Sequence, residues 1–263
     1  MPSLPINRVA LAYDEAGAGR PLALVHAGIV DRRMWDPVWD AFAARYRTIR
    51  HDMRGYGDTP LPNGSHAAWS DVAGLLRDLD AAPAHVIGAS AGGSAALELA
   101  IAEPKLVDRL VLVAPGFAGW EWSEGLRALW AEEEAAYERG DLDEVAWINV
   151  RTWLDGRRPA EAVHPDLRQA VWDMQRQALN QENQAAPAEP LEPPARERLG
   201  EVKAPTLIIV GALDQPDMLG IGQHLAESIP NARLEVMSGV AHLPPMEAPE
   251  EFVALVTAFL EAS

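Results

Sequence analysis

Val86-Ile87-Gly88-Ala89-Ser90-Ala91-Gly92-Gly93 is a short apolar run that closes on Gly-x-Ser-x-Gly. Ala84 to Ile87 reads as a buried strand, and Ser94-Ala-Ala-Leu-Glu-Leu-Ala100 reads as the start of a helix. Small residues at 88 and 92 let the chain turn sharply from strand to helix and hold Ser90 strained and exposed. The turn also aims the first N–H groups of the helix toward the hydroxyl. A bystander serine in a glycine turn would carry the same five letters. The strand before it and the helix after it favour a nucleophile that needs a base.

Three further runs read as buried parallel strands: Leu22 to Val25, Leu110 to Val113 and Thr206 to Val210. Helical patterns over Met34 to Tyr46 and Ala67 to Leu79 lie between them, and Arg8 to Asp14 looks like an extra edge strand. Alternating strand and helix predicts an α/β fold with a mostly parallel central sheet flanked by helices. The alternation breaks after Pro115. Leu126, Leu129, Trp130 and Tyr137 recur at helical spacing up to a stop at Gly140, and Leu167, Val171, Met174 and Ala178 form a second stripe. Ala185 to Pro194, rich in Pro and Ala, reads as a return linker. The expected division is a core of residues 1–116 and 199–263, with 117–198 an inserted helical cap and its linker.

A serine hydroxyl is a poor nucleophile near neutrality without a base in hydrogen-bond reach and a group that orients that base. In open α/β sheets such groups collect at the carboxyl ends of strands. Asp214 follows the strand that ends at Val210, and His242 follows the expected strand Arg233 to Val236, giving the chain order Ser90, Asp214, His242. Among the seven histidines, His51 precedes the serine, and His66, His85, His164 and His224 fall at element ends or in the cap. Asp217 rivals Asp214 and reads instead as a first-turn acid of the next helix. Two donors are needed for the oxygen that becomes negative when serine adds to a carbonyl. The N–H of Ala91 is one; the N–H of Gly28 is the other, with Ile29 as fallback and His26 a loop-shaping neighbour.

These pieces together resemble the α/β-hydrolase superfamily over nearly the whole chain outside the cap. The similarity is to its small bacterial esterase, enol-lactonase and cofactor-free haloperoxidase group. It rests on His26-Ala27-Gly28, Arg32 to Asp36, Asp52-Met53-Arg54-Gly55-Tyr56-Gly57, Gly88 to Gly93, Gly211 to Asp214 and Gly239 to His242. The resemblance implies the same three residues and two backbone donors, and makes Asp52 to Asp58 a structural loop with Arg54 as scaffold. Two departures stand out. His26-Ala27 replaces the usual His-Gly, and alanines at 89 and 91 suggest extra room beside the serine.

Composition limits the partners. A formal charge of −17 repels nucleic acid and anionic membranes, and no apolar run is long enough to span a bilayer. Much of the charge lies in Glu132-Glu133-Glu134 and Asp141 to Glu144, read as solvated helix faces. The absence of cysteine removes thiolate and zinc–thiolate chemistry and, with no secretory signal, fits a cytoplasmic protein. Six of the nine tryptophans lie in the cap; most serve its packing, while Trp120 and Trp122 are placed to line an apolar pocket. The expectation is hydrolysis of a small neutral ester or lactone on Ser90, with no metal or organic cofactor. Alternatives on the same residues are C–C bond hydrolysis and perhydrolysis, and, outside catalysis, a ligand-sensing receptor.

Overall fold

Residues of the apolar runs go alternately to opposite faces of one sheet, the period-2 geometry of a strand. The computed structural model describes residues 2–61, 64–181, 189 and 191–262. Its strands are β1 (Ser3–Ile6), β2 (Val9–Ala16), β3 (Pro21–Val25), β4 (Arg47–His51), β5 (Ala84–Ala89), β6 (Val107–Val113), β7 (Thr206–Gly211) and β8 (Ala232–Met237). They lie in the order β1-β2-β4-β3-β5-β6-β7-β8. β1 and β2 run antiparallel to each other, and β2 runs antiparallel to β4. All the remaining pairs are parallel.

The helices are α1 (Asp36–Ala43), α2 (Ala68–Asp78), α3 (Ala91–Ala102), α4 (Glu124–Glu138), α5 (Leu142–Asn149), α6 (Pro165–Leu179), α7 (Pro216–Ser228), α8 (Pro244–Glu247) and α9 (Pro249–Leu260). Ala23, Val25, Val86, Leu110, Leu112, Ile208 and Val210 face α2, α3 and α7. Leu22, Leu24, Ile87, Val111, Val113, Leu207 and Ile209 face α1 and α9, around Trp35, Phe42 and Phe252. Both faces are therefore covered, which explains why the parallel strands read as continuous apolar runs.

Between β6 and β7 the described residues contain helices and no strand: α4, α5, a π-helical turn over Val150–Asp155, and α6. Gly140, at φ +74°, follows α4 as expected. Asp141 caps α5 by accepting the Glu144 N–H at 3.2 Å. Glu133 departs from the solvated-face reading. Its carboxylate accepts from Asn149 Nδ2 at 2.6 Å, and burial raises its pKa. Of the proposed return linker, 185–188 and 190 lie outside the described residues, while Leu191 is buried.

The chain leaves β3 to pair β4 on one side, then returns to lay β5 on the other. That reversal falls at β3 and β5, and it is at the carboxyl ends of strands at such a switch point that open α/β sheets bind ligands. The loop of residues 26–30 and Ser90 both start there.

Candidate active site

Ser90 joins β5 to α3 with φ +49° and ψ −113°, a backbone conformation costly for a residue with a Cβ. Close packing holds it there. The Ser90 N–H donates to Val113 O at 2.9 Å, and its carbonyl accepts the N–H groups of Ser94 and Gly116, both at 3.0 Å. A Cβ on Gly88 would overlap the Gly92 carbonyl, and one on Gly92 would overlap the carbonyls of Val25 and His26. The Gly92 N–H donates to His26 O at 3.1 Å, fastening the turn to the end of β3.

Ala91 opens α3, where no carbonyl of the helix can accept its N–H. Gly28 faces it: a Cβ at 28 would stand 3.4 Å from Ala91 Cβ and 3.5 Å from Tyr56 Oη. The turn that carries Gly28 and Ile29 is closed by Val30 N–H on Ala27 O at 3.2 Å. His26 sets the loop's shape. Its Nε2 accepts the Met53 N–H at 2.9 Å, which leaves Nδ1 to donate to Ala27 O at 2.8 Å. Burial lowers its pKa, so the ring is held neutral with both nitrogens occupied. Ala91 is exposed, whereas Ala89 is fully buried and adds no room beside the serine.

Loops after β7 and β8 bring Asp214 and His242 together. His242 Nδ1 lies 2.8 Å from Asp214 Oδ2, and both residues are buried. A carboxylate only accepts, so Nδ1 carries the proton and Nε2 is the free acceptor. The other oxygen, Asp214 Oδ1, accepts the Gln215 N–H at 2.7 Å. The rival Asp217 sits in the first turn of α7 and accepts Ser123 N–H and Oγ, both at 2.7 Å, tethering the start of α4. Arg54 pairs with Asp71 at 2.6 Å. Arg32 pairs with Asp14 at 3.0 Å, with Asp58 at 2.9 Å and with Asp52, tying the loop after β3 to its neighbours.

Of the two tryptophans singled out by sequence, Trp120 lies over α7, 6.0 Å from the His224 ring, and Trp122 stands edge-on to Trp130 at 5.1 Å. Trp153, counted in the sequence among the packing tryptophans of the cap, has its ring centroid 4.5 Å from that of His242. Its only sequence signal was a helical insertion rich in tryptophan. Among the described residues no group of three or more His, Asp or Glu is arranged to hold a metal ion. None of their helices is long and apolar enough to cross a membrane.

Comparison with known proteins agrees with the fold. The alpha/beta hydrolase family matches residues 22–255. The chain is 30% identical to 2-hydroxy-6-oxononadienedioate/2-hydroxy-6-oxononatrienedioate hydrolase of Paraburkholderia xenovorans (strain LB400), over 97% of this chain and 91% of that protein. It is 31% identical to 2-hydroxymuconate semialdehyde hydrolase of Pseudomonas sp. (strain CF600), over 94% and 88% of the two chains. The enol-lactonase of Burkholderia xenovorans LB400 superposes with a TM-score of 0.80 at 23% identity, covering 99% of this chain and 100% of that one, a likeness of fold.

Proposed function

The chain belongs to the alpha/beta hydrolase family, and within it we propose a serine hydrolase that cleaves a small neutral carboxylic ester or lactone. The observation that carries this reading is the buried His242–Asp214 pair at 2.8 Å, presented with the strained Ser90 at one end of the sheet. Ser90 Oγ forms a bond to the substrate carbonyl carbon while its proton passes to His242 Nε2. The N–H groups of Gly28 and Ala91 receive the negative oxygen. Collapse breaks the bond to the leaving oxygen, which takes the proton from His242. Water then adds to the acyl-enzyme with the same histidine as base, and releases the acid and free Ser90.

Three arginines of these segments carry carboxylate partners, which favours a neutral substrate, while the Arg157 guanidinium is turned to Ala212 O. Arg33 is paired with Asp31 at 2.5 Å, Arg151 with Glu144 at 2.7 Å, and Arg158 with Glu247. Residues 117–198 serve as the cap in this reading. In this reading Ile29 beside Gly28 and Trp153 beside His242 offer the apolar surface nearest the reacting groups, whereas the ring contacts of Trp120 and Trp122 are with His224 and Trp130.

The names of the relatives support a second reading, C–C bond hydrolysis of a dienoate on the same residues. Initial rates on p-nitrophenyl esters and on 2-hydroxy-6-oxo-2,4-heptadienoate, for the wild type and Ser90→Ala, separate the two. The expected result is ester turnover that drops about a thousandfold or more in the variant. Serine-dependent cleavage of the dienoate with no ester turnover selects the second reading, and ester turnover that survives Ser90→Ala overturns the first.

A further inference from the structure

Besides Asp214, the histidine is held by a segment of the helical insertion. The π-helical turn Val150–Asp155 and the three residues after it touch both loops of the His–Asp pair. Thr152 O accepts from Gln215 Nε2 at 2.8 Å, and Trp153 O accepts the His242 N–H at 3.2 Å. The Arg157 N–H donates to Leu213 O at 2.9 Å, and its guanidinium reaches Ala212 O. Gly156, at φ +59°, has no room for a Cβ, which would overlap Leu213 O and stand 2.9 Å from Ala241 Cβ.

Glu247, the last residue of α8, completes the arrangement from the far side. Oε2 accepts the Ala241 N–H and Oε1 the Leu243 N–H, each at 2.8 Å. These are the two amides on either side of His242. The carboxylate is 3% exposed and pairs with Arg158, which also donates to Gly239 O at 3.0 Å, to Asp155 O at 3.1 Å and to Leu154 O. Asp155 is fixed in turn to α6 by Arg168, with both contacts at 2.9 Å. One carboxylate thus holds the N–H groups of the residues before and after the histidine, and one guanidinium joins it to the insertion.

We propose that Glu247 and Arg158 are positioning residues for His242, setting the histidine loop in fixed register with the insertion. The proposal rests on the reading of His242 as the general base. A carboxylate is required at 247 because two N–H donors flank His242 and need two acceptor oxygens. Glutamine offers one oxygen, and its NH2 then faces a donor.

The test uses the full-length chain and the variants Glu247→Gln, Glu247→Ala and Arg158→Lys. Two quantities are read: kcat and KM on a p-nitrophenyl ester, and the low-field proton resonance of His242 Nδ1–H in the substrate-free protein. That resonance is assigned by its loss in His242→Ala. Glu247→Gln is expected to lower kcat about 10- to 100-fold, the scale of a small misplacement of a reacting group. KM is expected to stay within about twofold, and the resonance to broaden or shift. Arg158→Lys keeps the charge but loses the fork that reaches Asp155 O and Gly239 O together. It is expected to lower kcat in the same direction by a smaller factor, and wild-type kcat in this variant removes Arg158 from the proposal. Should Glu247→Ala fail to fold, Glu247→Gln, of the same volume, carries the test. A Glu247→Gln protein with wild-type kcat and an unchanged resonance overturns the proposal. If the wild type shows no serine-dependent turnover of the ester, the ester-hydrolase reading fails by itself. The resonance, read without substrate, then decides whether Glu247 positions His242.

Discussion

At the scale of residues, the site depends on atoms that have almost no freedom. Asp214→Asn replaces a pure acceptor by a group with its own donor, which favours the wrong tautomer of His242. It is expected to lower kcat on the ester roughly 10³- to 10⁴-fold with the fold intact. Comparable circular dichroism and a kcat within tenfold of wild type would remove Asp214 from its role. Gly92→Ala acts through packing, because the new methyl overlaps the Val25 and His26 carbonyls. The loss is expected to be about 2 kcal/mol or more in urea unfolding, and an unchanged midpoint would contradict the close approach. Ser90 and its glycines were legible from sequence because the turn needs those residue types in a fixed spacing. Glu247 was not, since two of its partners are backbone amides, which leave no mark on residue identity, and the third, Arg158, lies 89 residues away.

Among elements, legibility followed the locality of the signal. β3, β5, β6 and β7 announce themselves as apolar runs, but β4 reads Arg47-Thr-Ile-Arg-His51 and was missed. Its arginines are neutralised by other elements: Arg47 by Glu15, and Arg50 by Asp14 at 3.0 Å and by Asp36 at 2.5 Å. No window of sequence contains those pairs. The π-helical turn was equally silent, because a one-residue widening of a helix has no compositional signature. Gln177 donates to Gly57 O at 2.8 Å and accepts from Arg33 at 3.1 Å, linking α6 to the loop after β4. Gln177→Ala is therefore expected to leave KM within about twofold and to cost about 1 kcal/mol or less in stability. A large rise in KM on the esters would show a substrate contact instead.

For the molecule as a whole, buried histidines oppose folding in acid. Burial lowers the pKa of His51 from 6.5 to about 3 and that of His85 from 6.5 to about 4; Asp108 opposes the shift at His85. His26 is lowered for the same reason. In each case the folded value lies below the unfolded one, so folding favours the neutral ring. Their contribution is complete above pH 6.5 and is lost as pH falls toward the folded values. Each ring then costs up to about 1.4 kcal/mol per pH unit. Thermal unfolding between pH 7.5 and 4.5 is expected to show Tm falling below about pH 6.5, with a shallower fall in His51→Gln. A Tm independent of pH over that range would show that these rings do not titrate with unfolding.

The sequence by itself determined the strand-turn-helix around Ser90, the alternation that makes a mostly parallel sheet, the helical insertion and the chain order Ser90, Asp214, His242. All of these are local, because apolar period, glycine spacing and cap residues act within a few positions of one another. Tertiary structure alone decided that Trp153 lies against the histidine and that Glu247 and Arg158 grip its loop. Each of those depends on residues far apart in the chain, or on backbone groups that every residue carries. Only the folded sheet brings them within reach.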